Sequence, residues 1–209
     1  AEDYRAAWNC AKERGVRIDF NTPRIVRAAE EAEIVRLLTS FRTEPPDALH
    51  VHHIGMAYLA RSYLSVPLHA DYSMTSYNAM TTEFLHSYGF SEATLSPELN
   101  AKQISRMAGR SVLPLTVLAH GRLPLMISEY CAVGSFLGGL DGGTCSHPCR
   151  REKYFLRDRK GIDFPIETDQ FCRMHICNAK TLSLLPYAAR LMHSGISCIR
   201  IEGRGMTID

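Results

Sequence analysis

The spacing of hydrophobic and polar positions changes along this chain every roughly 20–30 residues, from strand-like to helix-like and back. The run VRIDFNTPRI reads as a short strand entering a turn at Thr22 and Pro23. Apolar residues at Ile25, Val26, Ala29, Ile34, Leu37 and Leu38 then fall at helical spacing. Glu30, Glu31 and Glu33 supply the polar side, and Pro45–Pro46 stops the unit. ALHVHHIG predicts the next strand and MAYLARSYL a short helix. PLHADYSM is a strand, 76–86 a helix closed near Gly89, and ATLSPELN a strand ending in polar residues. A helix is predicted over 101–108, and one or two strands over SVLPLTVLAHGRLPLMISEY with a turn at Gly121. The Cys- and Gly-rich stretch that follows reads as loop. A helix over 178–193, ended by Ser194 and Gly195, and the strand ISCIRIEG complete the series.

Alternating strands and helices imply a parallel sheet with right-handed crossovers, an α/β protein. Polar residues gather where strands end: His69 and Asp71, Ser96 and Glu98, His120, Glu202 and Arg204. In a (β/α) barrel such ends form the active face, and a full barrel takes about 250 residues. With about six strand candidates, the expectation is one partial or distorted TIM-barrel-like domain over 1–209. The sheet edges of a partial barrel need covering, which predicts a homodimer or a partner domain.

Composition narrows the class. Of the 209 residues, 45% are hydrophobic and 22% charged, which suits a globular domain. The net charge of +2 is too balanced to imply a nucleic-acid partner by itself. No apolar run approaches the ~20 residues of a membrane span, and the start AEDYRAAWNC is no secretion signal. The expected location is the cytoplasm. The chain opens without Met in a helix-like pattern, as expected for a processed chain or a piece of a longer protein.

Seven cysteines without a secretion signal predict reduced thiols and a metal site instead of a disulfide framework. Cys131, Cys145, Cys149 and Cys172 fall in one glycine-rich, basic stretch. Cys145 and Cys149 form a C-x3-C pair stiffened by Pro148, a loop short enough to bring two thiolates to one ion. Four thiolates serve Zn²⁺ or an iron–sulfur cluster. Cys177 is a reserve ligand and Cys198 is expected to pack in an apolar strand. His147 and His175 lie close enough in sequence to replace a thiolate, though a hydrogen-bonded surface role suits each better. Glu98 is a candidate base or a cap for the next helix together with Ser96. His120 suits proton transfer, or a bond to backbone. Alternation puts His50 and His52 on one face of their strand, but the segment supplies no third metal ligand there. The chain has no nucleophile elbow, zinc-protease helix, Walker A loop or G-x-G-x-x-G.

The runs HGRLPLMISEYC, GTCSHPCRREKYFLRDRKG and NAKTLSLLPYAARLMHSGISCIRIEGR together resemble the collagenase-like peptidases, peptidase family U-32. PLHADYSMTSYNAM and ATLSPELNAKQI are similar to that family's strand-end motifs. The resemblance covers about residues 45 to 205. It implies a barrel-like fold, a cysteine-bound metal and peptide-bond hydrolysis. Some relatives are instead iron–sulfur proteins that hydroxylate RNA or quinone precursors. Those relatives carry H-G-x-L-C with a second Cys seven residues on. Here Pro124 stands at the first Cys position, Cys131 matches the second, and Cys172 would replace the missing ligand.

The resulting expectation is a peptidase whose closed tetra-thiolate Zn²⁺ site, Cys131, Cys145, Cys149 and Cys172, is structural. Glu98, His120, Glu129 and Glu202 would be catalytic, and Asp71, Asn78 and Arg204 would contact a peptide or protein substrate. One alternative is a [4Fe–4S] component of RNA or quinone-precursor hydroxylation, the only reading with a nucleic-acid partner. The other is a non-catalytic binding domain.

Overall fold

A computed structural model describes residues 2–203. The chain divides into two compact units, Ala1–Leu118 with Tyr187–Arg200, and Ala119–Pro186 with Ile201–Asp209.

In the first unit, helix α1 (Glu2–Glu13) precedes a parallel sheet. Its strands are β1 (Asp19–Asn21), β2 (Ala48–Val51), β3 (Leu68–Ala70), β4 (Glu92–Thr94) and β5 (Leu115–Gly121), hydrogen-bonded in sequence order. Helices α2 (Glu31–Ser40), α3 (Ile54–Tyr63), α4 (Ala79–Ser87) and α5 (Ala101–Ala108) make the crossovers. A further helix, Ala188–His193, leads to the strand Cys198–Glu202, which pairs with β5. The mixed α/β class and the parallel sheet therefore stand as read, and the open sheet is compatible with part of a barrel.

Period-two alternation explains the layering. Leu49 pairs with Leu68, and Val51 with Ala70 and then Ala93 and Leu115, on the face that packs against helices. Ile34, Leu38, Met56, Ala57, Ala60, Leu85, Ile104 and Met107 cover that face and are buried. Full burial of a Leu such as Leu49 stabilises the fold by about 1.5–3 kcal/mol. The opposite face carries the intervening residues, and these are polar. Asn21, His50, His69 and Glu92 stand in register across four strands.

Caps fix the helix starts. Asn78 accepts from Thr81 N at 2.9 Å, and Asn100 and Gln103 form a reciprocal capping box. Helix α2 begins six residues later than Ile25, after a 3-10 turn at Ala28–Glu30. The helix expected over 178–193 shrinks to 188–193. Pro186 lies in a 3-10 turn, and Leu184 N instead bonds Ala119 O.

The second unit departs most from the sequence reading. Strands β6 (Pro124–Ser128), β7 (Tyr154–Arg157), β8 (Asp163–Thr168) and β9 (Met174–Cys177) form an antiparallel sheet in the order β6-β9-β8-β7. The stretch read as loop thus holds three of the four strands, and also the helix α6 (Ala132–Leu137). Pro165 is tolerated because β8 meets β9 only from Ile166 onward, so its missing N–H interrupts no ladder on that side. The short strand β10 (Leu182–Ser183) pairs antiparallel with His120 and Gly121.

Cys177 lies buried on β9, and burial, then the Glu167 charge, pushes its thiol up to about 11. A protonated thiol is a poor ligand and nucleophile. We expect iodoacetamide near neutral pH to modify exposed Cys10 and Cys198 well before Cys177, as peptide mass mapping would show. Equal labelling of Cys177 in the folded chain would contradict this burial. Cys198, expected to pack, is exposed on its strand.

Candidate functional site

Two groups of chemically capable side chains stand out, one in each unit. The second unit holds the cysteines. Cys131 caps α6, its Sγ accepting from Gly134 N at 3.3 Å, and Cys145 Sγ accepts from His147 N at 3.3 Å. A Cβ placed on Gly134 would stand 3.4 Å from Cys145 Sγ and 3.5 Å from Cys131 Sγ. One on Gly138 would stand 2.7 Å from Cys145 Sγ. The two glycines therefore keep a space between the sulfurs that any side chain would fill. Cys149 follows in the 3-10 turn Pro148–Arg150, which packs against α6. Cys172 is exposed and left-handed (φ 59°) two residues before β9. Because Met174 pairs with Ser128, Cys172 and Cys131 leave the same end of the β6–β9 ladder. Among the described residues, no three of these sulfurs lie within 4.8 Å of one another.

Beside this end, Arg173 is 2% exposed and donates from Nε to Glu129 Oε1 at 2.7 Å, and its guanidinium lies over Phe171. Glu129, a predicted catalytic carboxylate, thus partners a buried cation. His120 pairs across from Ser183, and its buried Nδ1 lacks a hydrogen-bond partner among the described residues. Glu202 abuts Gly121, where a Cβ would stand 2.6 Å from Glu202 O and Cβ. With φ 132° there as well, that position requires glycine.

The first unit holds the polar sheet face. Asp71 is fully buried. Its Oδ1 accepts from Tyr72 N at 2.7 Å and its Oδ2 from Arg200 Nη1 at 2.5 Å. His52 bonds Ser73 Oγ at 2.7 Å and Asn21 Oδ1 at 2.8 Å. One row away, His50 Nε2 lies 3.3 Å from Asp19 Oδ2, and His69 Nδ1 lies 3.8 Å from the same oxygen and 4.0 Å from Glu92 Oε2. The His50 and His69 rings meet edge to face at 4.9 Å. The hydrogen bond from His50 holds the Asp19 carboxyl below the usual carboxylate range, against the effect of burial. Burial pushes His69 down, toward the neutral imidazole, against the pull of Glu92. The buried Nδ1 atoms of both His50 and His69 lack hydrogen bonds among the described residues. A buried polar atom left so costs about 1–3 kcal/mol.

Of the other predicted site residues, Asn78 caps α4, Glu98 is exposed and accepts from Tyr77 OH at 2.5 Å, and Arg204 lies outside the described residues. Glu98 belongs to the first unit, and His120, Glu129 and Glu202 to the second. The Asp19–His50–His69 group was missed as a group. Its signal was a polar residue on each of three successive strands: Asp19 at the start of β1, and His50 and His69 inside the apolar runs of β2 and β3. No helix among the described residues is long and apolar enough to cross a membrane.

A parallel α/β sheet followed by a cysteine-bearing antiparallel sheet defines the class. The chain belongs to peptidase family U32, whose family model matches residues 1–209. It is similar to tRNA hydroxylation protein P of Escherichia coli, 24% identical over 76% of this chain and 45% of that protein. It is also similar to 23S rRNA 5-hydroxycytidine C2501 synthase of Escherichia coli, 26% identical over 91% of this chain and 28% of that protein. A collagenase of Porphyromonas gingivalis is 23% identical over 86% of this chain and 42% of that protein. The chain thus spans less than half the length of each of these relatives. No solved structure matches it.

These relatives correct the expectation of peptide hydrolysis. Two of them are named for RNA hydroxylation or hydroxycytidine synthesis, so membership of a family named for peptidases does not carry that reaction. The family consists of enzymes, and the chemistry of this chain has to be argued from its own sites.

Proposed function

We propose that this chain is part of an RNA-hydroxylating enzyme that carries an iron–sulfur cluster on Cys131, Cys145, Cys149 and Cys172. The observation that carries this reading is the coincidence of two RNA-hydroxylation relatives with Cys131 and Cys145, whose sulfurs both stand beside Gly134. A single tetrahedral Zn²⁺ with Zn–S near 2.3 Å draws its sulfurs to within ~3.8 Å of each other. Among the described residues no three of these sulfurs stand that close together, and four thiolates also hold a [4Fe–4S] unit. Bound there, a cluster supplies one-electron transfer. The overall change replaces a base C–H by C–OH while an oxygen donor gives up its oxygen atom and leaves reduced. In this reading the first unit is one part of a larger (β/α) barrel. A partner domain or second copy covers its sheet edge, and the substrate is a cytoplasmic RNA.

The chain's own residues offer an RNA-binding element. From Arg150 to Lys160 there are six basic residues, Arg150, Arg151, Lys153, Arg157, Arg159 and Lys160, against Glu152 and Asp158. All six are exposed, and Phe155 is 51% exposed on the edge strand β7. Cations on phosphates and an aromatic on a base are the usual means of holding single-stranded RNA. Changing Arg150, Arg151 and Lys153 to Glu is expected to weaken binding of the full-length protein to its purified RNA by at least ~10-fold and to flatten its salt dependence. Unchanged affinity would remove this hairpin from the interface.

The cofactor is tested by anaerobic purification. The expected product is coloured protein with about four irons and four labile sulfides per chain. Colourless protein with one zinc and no sulfide would overturn the cluster.

A further inference from the structure

We propose that Asp19, His50 and His69 form a second metal site, for a divalent transition ion such as Fe²⁺, on the polar face of the parallel sheet and separate from the cysteines. It does not rest on the RNA reading.

Among the described residues, this is the one group of three His, Cys, Asp or Glu side chains whose ligand atoms all lie within 4.8 Å of one another. The sheet register builds it. His50 and His69 are direct partners on β2 and β3, so both imidazoles leave the sheet on one side at one level. Asp19 stands on β1 opposite Ala48, whose methyl group leaves room for the carboxylate to reach the two rings. Two ligands at 2.0–2.1 Å from a common ion, at tetrahedral to octahedral angles, lie roughly 2.9–3.4 Å apart. Asp19 Oδ2 and His50 Nε2, at 3.3 Å, are already in that range, and His69 Nδ1, at 3.8 Å, needs only a small closure.

A hydrogen-bonded polar cluster would explain Asp19 and His50 alone. It does not explain His69, whose buried Nδ1 faces both Asp19 and Glu92 at distances too long for a hydrogen bond. An ion between them takes up that lone pair. Glu92 Oε1 accepts from Thr116 Oγ1 at 2.6 Å, a contact that fixes the carboxylate beside the site in the manner of an outer-shell or fourth ligand. Two imidazoles and one carboxylate, with the remaining positions open, are the donor set that suits iron and related ions. Asp19 is 26% exposed and Glu92 20%, which leaves an entry path.

The test uses Co²⁺ as the probe on full-length protein stripped of metal. Thiolate-bound cobalt shows an intense sulfur charge-transfer band, whereas a site of nitrogen and oxygen ligands shows only weak visible d–d bands. The expected result is both signals in the wild type. His69→Gln and Asp19→Ala should each weaken the nitrogen–oxygen signal by more than the ~10–100-fold that loss of an outer-shell partner costs, with the thiolate signal retained. Circular dichroism checks that each variant is folded. Asp19 is partly exposed near the sheet edge, so Asp19→Ala keeps the test open if His69→Gln unfolds. Wild-type protein with only the thiolate signal, or a folded variant with undiminished nitrogen–oxygen binding, would overturn the site. Loss of the cysteine cluster in anaerobic protein would leave this result unaffected, so failure of the RNA reading and failure of this site are separately visible.

Discussion

Asp71→Ala lowers the stability of the first unit by about 3–5 kcal/mol, the cost of breaking a buried ion pair from one side. Asp71 is fully buried, whereas the Arg200 side chain is 18% exposed. The two residues are 129 apart in sequence, so their bond ties the strand Cys198–Glu202 to the end of β3. Alanine removes that bond and also the acceptor for Tyr72 N, which starts the turn after β3. Asp71→Asn keeps an acceptor for Tyr72 N and loses the charge, so it should cost less than Asp71→Ala. Urea unfolding of the two variants reads both values. A loss under about 1 kcal/mol for Asp71→Ala would mean that water or a neighbour replaces the carboxylate and that this pair does not hold the strand.

If the proposed cluster is held as described, Cys145→Ser is expected to remove it and with it the hydroxylated nucleoside, while the fold remains. Its sulfur sits where Gly134 and Gly138 both leave space, and serine's hydroxyl is a poor substitute for a soft thiolate on iron. The fall in product should exceed the ~10–100-fold that outer-shell changes produce. Gly138→Ala should have the same direction of effect without replacing a ligand. Its Cβ would stand 2.7 Å from both Cys145 Sγ and Gly134 O, so the sulfur or the end of α6 must move. Full iron content in Gly138→Ala would show that the sulfur yields to a methyl group without losing its place.

Much of the first unit was readable because its strands obey one rule. Apolar runs flanked by turns gave β2 to β5 and a helix over 101–108, whose cap is Asn100 with Gln103 and not Ser96 or Glu98. What alternation cannot supply is register between strands distant in sequence. His50 and His52 were correctly put on one face, and a third ligand was sought within the same six residues. It came instead from His69 on β3 and Asp19 on β1, through pairings that only the folded sheet fixes. The second unit was hidden for a different reason. Glycines, cysteines and Pro165 suggested loop, and they outweighed the apolar positions Phe155, Leu156, Phe164 and Ile166 that pair in the β7–β8 hairpin. Reading four cysteines as one set did not disclose a reaction, and hydrolysis was inferred from a family resemblance. Relatives named for RNA hydroxylation overturned that inference.

The most direct test is nucleoside mass spectrometry on total tRNA and rRNA from the source cells with the gene deleted, then restored as wild type or as Cys145→Ser. The prediction is one ribonucleoside, heavier than its parent by one oxygen atom, that disappears on deletion and returns only with the wild type. Identical nucleoside profiles with and without the gene would contradict RNA hydroxylation by this protein.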